Sequence, residues 1–276
     1  MDTVEVVGEA LDPREVAVYR SVMDALASAG VPFLVGGAYA FASYTGIVRH
    51  TKDFDLFLRR ADAERAYKAL AGAGARIERT FPHWLGKAVF PGEIVVDLIY
   101  SAGNGVAAVD DLWFTHATPA TVLGRQVRAC PAEEIIWSKA FVQERERYDG
   151  ADVLHLIRAG AGTLDWDRLT RRFGPHWRIL LSYLVLFGFV YPGERDRVPS
   201  PVLADLVRRL QEETARPADA DRRCGGTLLS RLQYLTDLRF WGYTDARARP
   251  LGTMDEADLA RWTEAGEREE AERRKH

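Results

Sequence analysis

The chain has only two cysteines in 276 residues, Cys130 and Cys224, too few for a disulfide framework and without the spacing of a zinc site. Two reduced thiols in a reducing cytoplasm are the expectation. It also lacks an excess of charge of either sign: 37 Lys and Arg stand against 40 Asp and Glu, giving a net −3 and a pI near 6.1. That balance argues against a broad basic face for nucleic acid and leaves only a local patch open. Long apolar runs are missing as well. The longest, 179–191, is too short to span a bilayer and is interrupted by Ser182 and Gly188, so it reads as a buried helix. The start, MDTVEVVGEALDPREV, has no basic segment followed by an apolar one and does not read as a signal peptide. No internal repeat is visible. What the chain does have is 47% hydrophobic residues, enough for a core in one large or two ordinary domains.

The order of elements changes near residue 130. Apolar residues at helical spacing, Val16, Tyr19, Val22, Met23 and Leu26, predict a helix over 13–29 with Gly30 as its stop. A short strand over 31–35 runs into Gly36-Gly37, and a helix over 38–44 closes at Gly46. A strand over 53–58, a helix over 61–71, an irregular strand over 76–90 broken near Pro82 and Gly86, and a strand over 93–100 follow. The last two flank the turn-forming pair Pro91-Gly92. One further strand is expected in TVLGRQVRAC. Beyond Pro131 the periodicity is helical over 133–147, 151–159, 166–190, 201–213 and 228–240. The tail over 255–276 reads as a solvated helix, and the segment over 216–226 as a loop. The expectation is an α+β protein, with a mixed sheet and flanking helices over 1–130 and an all-helical domain over 131–276.

Within this layout Asp53 and Asp55 stand out. They are one residue apart in TKDFDLFL, and side chains at i and i+2 of a strand share a face. Two carboxylates side by side repel unless a cation sits between them, so the pair asks for Mg²⁺, or Mn²⁺ in its place, together with a phosphate-bearing ligand. The spacing alone decides little, because Asp-x-Asp recurs at Asp165/Asp167 and Asp219/Asp221. The first of these reads as a helix N-terminus and the second as a solvated loop. Context separates Asp53/Asp55. Upstream, Gly36 and Gly37 lie at a strand-to-helix turn, where missing side chains let a ligand approach the backbone and a helix N-terminus offers free amides. Downstream, Asp97 sits among Val95, Val96, Leu98 and Ile99, and burying an unpaired carboxylate there would cost several kcal/mol. If its strand neighbours that of Asp53 and Asp55, three carboxylates converge. Such a set suits metal-assisted in-line transfer of a nucleotidyl group, with Asp53 and Asp55 as ligands and Asp97 either completing a second metal site or accepting a proton. Arg49 is placed to bind a phosphate or hold a carboxylate from the rim. His50 beside it reads as a solvent-facing polar residue. His83, Trp84 and Lys87 fall near the proposed site, where Trp84 either stacks on a base or acceptor or packs in the core.

The run VGGAYAFASYTGIVRHTKDFDLFL, followed by the VVDLIY strand, resembles the nucleotidyltransferase superfamily that includes DNA polymerase beta, aminoglycoside nucleotidyltransferases and the AbiEii-type toxins of bacterial toxin–antitoxin systems. Gly36, Gly37, Asp53, Asp55 and Asp97 match its pattern of glycine turn, two-carboxylate strand and third carboxylate on a neighbouring strand. Many members have Gly-Ser where this chain has Gly-Gly. A second stretch, PAEEIIWSKAFVQERERYDGADVLHL, is similar to the AbiEii-like pattern, with Lys139, Arg145, Arg147, Asp149 and Asp152 in the places of its lysine, basic segment and aspartate pair. The resemblance covers roughly residues 30 to 160.

The resemblance implies Mg²⁺-dependent transfer of an NMP group from an NTP to a hydroxyl-bearing acceptor. RNA is the acceptor in the toxin-like reading, which brings an antitoxin partner with it; a small molecule is the acceptor in the antibiotic-modifying reading. It also implies that Lys139 reaches the nucleotide's phosphates, where the residues alone would place it on the wet face of a helix. Asp149 is open to a helix-cap reading, and Asp152 to pairing with Lys139 or Arg147. A non-catalytic nucleotide-binding protein could keep the same fold, but all three carboxylates are present here.

Overall fold

The computed structural model describes residues 5–6, 12–49, 51, 53–218 and 220–275. His50 and Asp219 therefore lie outside the described residues. The chain divides into two compact units, Met1–Pro131 and Ala132–His276. The first contains β1 (Glu5–Val6), α1 (Pro13–Ser28), β2 (Leu34–Val35), α2 (Gly37–Thr45), β3 (Asp53–Phe57), α3 (Ala63–Gly72), β4 (Arg76–Phe81), β5 (Leu85–Phe90), β6 (Ile94–Ile99), α4 (Asp111–Thr115), β7 (Thr118–Val122) and β8 (Arg125–Ala129). Asp12 starts α1 by accepting a hydrogen bond from the Arg14 amide at 2.8 Å, with Pro13 in the first turn where its missing N–H costs nothing. Tyr19, Val22, Met23 and Leu26 form its buried stripe. Gly46, in the left-handed region at φ 71°, ends α2.

The strands join in one mixed eight-stranded sheet of order β1-β7-β8-β2-β3-β6-β5-β4. β3 lies parallel to β6 and antiparallel to β2, and β5 runs antiparallel to β6. On β3 and β6 the side chains of Phe54, Leu56, Val96 and Leu98 are buried, with Tyr19 of α1 stacked on Phe54 at 4.6 Å between ring centroids. Asp53, Asp55 and Asp97 alternate with them and so face the other way.

Two expectations for this sheet are corrected. The irregular strand over 76–90 is two strands joined by a turn at Pro82, His83 and Trp84, in which the Trp84 amide donates to the Phe81 carbonyl at 3.0 Å. Gly86 does not interrupt the strand; it lies within β5, at a place where a Cβ would collide with the Tyr67 ring. The stretch TVLGRQVRAC carries part of a hairpin, β7 and β8, closed by Leu123 and Gly124 with φ of 51° and 74°. Two residues at positive φ give the tight turn whose twist matches antiparallel strands. In addition, α4 occupies part of a region read as loop, its start capped by Asp110.

The second unit contains α5 (Ala132–Lys139), α6 (Gly150–Gly160), α7 (Trp166–Phe173), α8 (Trp177–Val190), α9 (Ser200–Thr214), β9 (Arg223–Cys224), α10 (Leu235–Phe240), β10 (Thr244–Asp245) and α11 (Glu256–Arg273). It is mainly but not wholly helical, since β9 and β10 pair in parallel where a loop was expected. The helix expected over 133–147 stops at Lys139. Beyond it the chain turns back through a bridge between Gln143 and Tyr148, and Glu144 accepts bonds from Ser230 and the Arg231 amide instead of supporting a helix.

The run over 166–190 is apolar enough by length and composition to cross a bilayer. It is split by Gly174 at φ 46° followed by Pro175, a residue that disfavours helical geometry in its predecessor. Asp165 caps α7 through the Arg168 amide at 2.8 Å, as read from the sequence. Beneath α5 and α7 lies a buried ionic cluster. Both oxygens of Glu134 accept from Arg168, Arg172 donates to Glu134 at 3.0 Å, and Glu133 meets Arg168 at 2.5 Å. Cys130 and Cys224 are both buried.

Candidate active site

A single row of residues crosses four strands of the sheet, β4, β5, β6 and β3. Glu78 of β4 is opposite Lys87 of β5, Lys87 is opposite Asp97 of β6, and Asp97 is opposite Asp55 of β3. The Gly36 amide, just past β2, donates to the Asp55 carbonyl at 2.9 Å. Directly opposed residues on neighbouring strands project to the same face. The convergence expected of Asp53, Asp55 and Asp97 is thus built into the register: Asp55 and Asp97 are partners, and Asp53 stands two residues before Asp55 on the same side.

The glycine turn is shaped by the strand beneath it. Gly37 opens α2 at φ 53°, and a Cβ there would fall into the Asp55 carboxylate, 2.8 Å from its Cγ; a Cβ on Gly36 would fall on the Phe57 ring. The space left by Gly37 is therefore filled by Asp55 itself, which brings that carboxylate against the first turn of α2. Gly37→Ala is expected to add about 1 kcal/mol of backbone strain and to push Asp55 from its place. The measurement is transfer activity beside a melting curve, with activity falling far more than a loss of that size explains.

Asp97 is not a solitary carboxylate. Lys87 Nζ donates to its Oδ1 at 2.9 Å, with the Asp97 side chain 14% exposed. Burial pushes the Asp97 carboxyl above its ordinary value. The bond and charge of Lys87 pull the other way without cancelling that, and the charge of Asp53 adds to the rise. Thr51 holds the start of β3 through its hydroxyl, which donates to the Asp53 carbonyl at 3.0 Å. The exposed Arg49 lays its guanidinium over the Phe41 ring of α2 at 4.7 Å. On the same face, Phe57 stacks against Trp113 of α4 at 5.3 Å.

His83 and Trp84 sit four and three residues before Lys87, beyond the Leu85–Ile99 pair, at the end of the strands away from Asp53. His83 bonds the Gly103 carbonyl at 3.1 Å, and Trp84 stacks on Phe81 at 5.8 Å. The pairing of Lys87 with Asp97 was missed from sequence, although the signal was there: a hairpin centred on Gly92 sets these two residues opposite each other.

In the second unit, Lys139 is not on a wet helix face. Its Nζ lies 2.8 Å from Asp149 and 3.0 Å from Asp152 and ties the end of α5 to the start of α6. Asp149 occupies the cap position of α6 without a capping hydrogen bond, because its oxygens are taken by Lys139 and by Arg147 at 3.0 Å. Burial alone would raise the Asp149 carboxyl, but the bond from Arg147 and the charges of Lys139 and Arg147 outweigh it and hold it below its ordinary value. The stability this pairing contributes is present above the ordinary carboxylate range and lost as pH falls through the lowered value. Lys139→Met, which strands two carboxylates, is expected to lower the unfolding free energy by about 3 kcal/mol, read by urea denaturation at pH 7. The difference from wild type should shrink at pH 3. Phosphate contact by Lys139, implied by the resemblance, would have it exchange these partners.

Among the described residues, no three His, Cys, Asp or Glu side chains are grouped to hold a metal ion. One oxygen of Asp97, the third carboxylate of the expected set, is turned to Lys87. Asp53 and Asp55 remain, and their hard oxygen chemistry fits Mg²⁺, which is commonly held by one or two carboxylates together with substrate phosphates and water.

No family model matches the chain, and no curated protein does. Three of the solved structures it is similar to are the lincosamide antibiotic adenylyltransferase LnuA in its lincomycin-bound form, the antibiotic-resistance factor ANT(2'')-Ia, and an antigenic nucleotidyltransferase-like protein from Paracoccidioides brasiliensis. LnuA is 12% identical, with 54% of this chain and 98% of that one covered, at a TM-score of 0.38. ANT(2'')-Ia is 17% identical over 74% and 97%, at 0.38. The Paracoccidioides protein is 17% identical over 63% and 93%, at 0.37. Likenesses this loose carry no weight for function, which rests on the residues of the chain itself.

Proposed function

We propose that the protein is a Mg²⁺-dependent nucleotidyltransferase that moves an NMP group from an NTP to a hydroxyl on an acceptor. The observation that carries this reading is the placement of the Asp55 carboxylate against the first turn of α2, with Asp53 on the same face and Asp97 in register beside it. The amides that open α2 suit a triphosphate, since a helix N-terminus offers unpaired N–H groups and a favourable dipole. When bound at Asp53 and Asp55, Mg²⁺ supplies charge neutralisation for the triphosphate and for the pyrophosphate that leaves. The acceptor oxygen forms a bond to the α-phosphorus, the bond from that phosphorus to the bridging oxygen of the β-phosphate breaks, and pyrophosphate carries away the electron pair. Asp97 accepts the hydroxyl proton through the oxygen that does not bond Lys87.

The test is a screen of α-phosphate-labelled NTPs against RNA and against small hydroxylated molecules, with Mg²⁺ or Mn²⁺. Label on any acceptor supports the reading and names the acceptor class. NTP binding with no transfer to any acceptor would favour a nucleotide-binding protein instead. In the RNA arm, inhibition by a neighbouring gene product would supply the antitoxin that the toxin-like reading calls for, in the cytoplasm where both would meet.

A further inference from the structure

Lys87 lies in the middle of the row that runs from Glu78 to Asp55, on the face that carries all three aspartates. Its side chain is 27% exposed and reaches along the row to Asp97, while its other neighbour, Glu78, is met by Arg76. The ammonium therefore sits beside the third carboxylate at 2.9 Å, a bonding distance for a charged pair. A second divalent ion bridging Asp97 to the Asp53/Asp55 pair would need that oxygen, and it would stand next to a positive charge in a half-buried place where water screens poorly.

A lysine differs from a metal ion in being fixed to the chain, so its charge is present before any nucleotide arrives.

We propose that the Lys87 ammonium takes the place of a second metal ion, so that this site holds one divalent cation, at Asp53 and Asp55, and leaves Asp97 outside the metal's coordination. The inference rests on the metal site proposed above and not on the identity of the acceptor. Lys87 is a positioning residue in this account: it holds one oxygen of Asp97 and excludes a competing ion from it.

The test counts bound Mn²⁺ on the intact chain by the loss of the free-ion EPR signal as the metal alone is titrated. Wild type and Lys87→Arg should each bind one Mn²⁺ per chain. Lys87→Met, which frees Asp97 and removes the charge, should bind two, and Lys87→Gln serves the same comparison with a polar side chain should the methionine variant fold poorly. The double variant Lys87→Met, Asp97→Asn should return to one. Two ions on the wild type, or one on both neutral variants, would overturn the proposal. Asp55→Asn separates this from the broader reading: it should lose the wild-type ion, and if it binds Mn²⁺ as wild type does, the metal site at Asp53 and Asp55 fails whatever Lys87 does.

Discussion

Asp55→Asn is expected to reduce nucleotidyl transfer by a factor on the order of 10³ or more while moving the melting temperature by no more than about 3 °C. The substitution keeps the shape of the side chain, so the close approach to Gly37 and the register with Asp97 survive. What it removes is the negative charge that, with Asp53, would hold a divalent ion beside the first turn of α2. Loss confined to the chemical step should lower kcat and kcat/KM together, because the charge matters most where negative charge shifts onto the departing pyrophosphate. A variant with wild-type turnover would remove Asp55 from the site.

Glu134→Ala should have the largest effect on stability. Glu134 is fully buried and accepts from two arginines, Arg168 and Arg172, which are themselves nearly buried. Removing the carboxylate leaves two guanidinium groups facing a gap, with Glu133 at 2.5 Å and Asp165 at 3.7 Å still acidic partners of Arg168. Breaking a buried pair in this way costs about 3 to 5 kcal/mol, and a unit of this size should lose on the order of 10 °C in its melting temperature. Glu134→Gln, which keeps a hydrogen-bond acceptor, should lie between the two. The checks are differential scanning calorimetry and urea titration of the whole chain. A change below about 1 kcal/mol would mean that the cluster behaves like a surface pair and is open to water.

Much of the site could be read from the sequence, for reasons that differ by residue. The alternation of Asp53 and Asp55 with Phe54 and Leu56 follows from the two-residue period of a strand, and burial follows that alternation. Asp97 was legible as a carboxylate among apolar neighbours, and its place beside Asp55 depends on β6 lying parallel to β3, which the sequence left conditional. The role of the glycine pair was only half legible. The need for small residues at 36 and 37 could be seen, but their immediate neighbours are Phe57 and Asp55, side chains whose positions depend on how β2 and β3 pair.

Misreadings cluster where tertiary contacts overrule local pattern. The helix expected to run through 133–147 ends where Lys139 finds Asp149 and Asp152, partners ten and thirteen residues away that no helical spacing brings close. The 76–90 strand and the stretch TVLGRQVRAC were each read as one element, although Pro82 and Leu123-Gly124 carried turn chemistry sufficient to fold each back. The Pro91-Gly92 turn was recognised, yet its register was not followed five residues outward, where it pairs Lys87 with Asp97.

Nucleotidyl transfer, as proposed, leaves the NTP's α-phosphate on the acceptor with the rest of the NMP group and its β- and γ-phosphates in pyrophosphate. Parallel reactions with NTP labelled at the α-phosphate and at the γ-phosphate, run on the wild type and on Asp55→Asn with the same acceptors, test it most directly. Label is expected on the acceptor from the α-position only, with labelled pyrophosphate released from the γ-position and neither product from the variant. Label reaching the acceptor from the γ-position, or equal transfer by the variant, would contradict it.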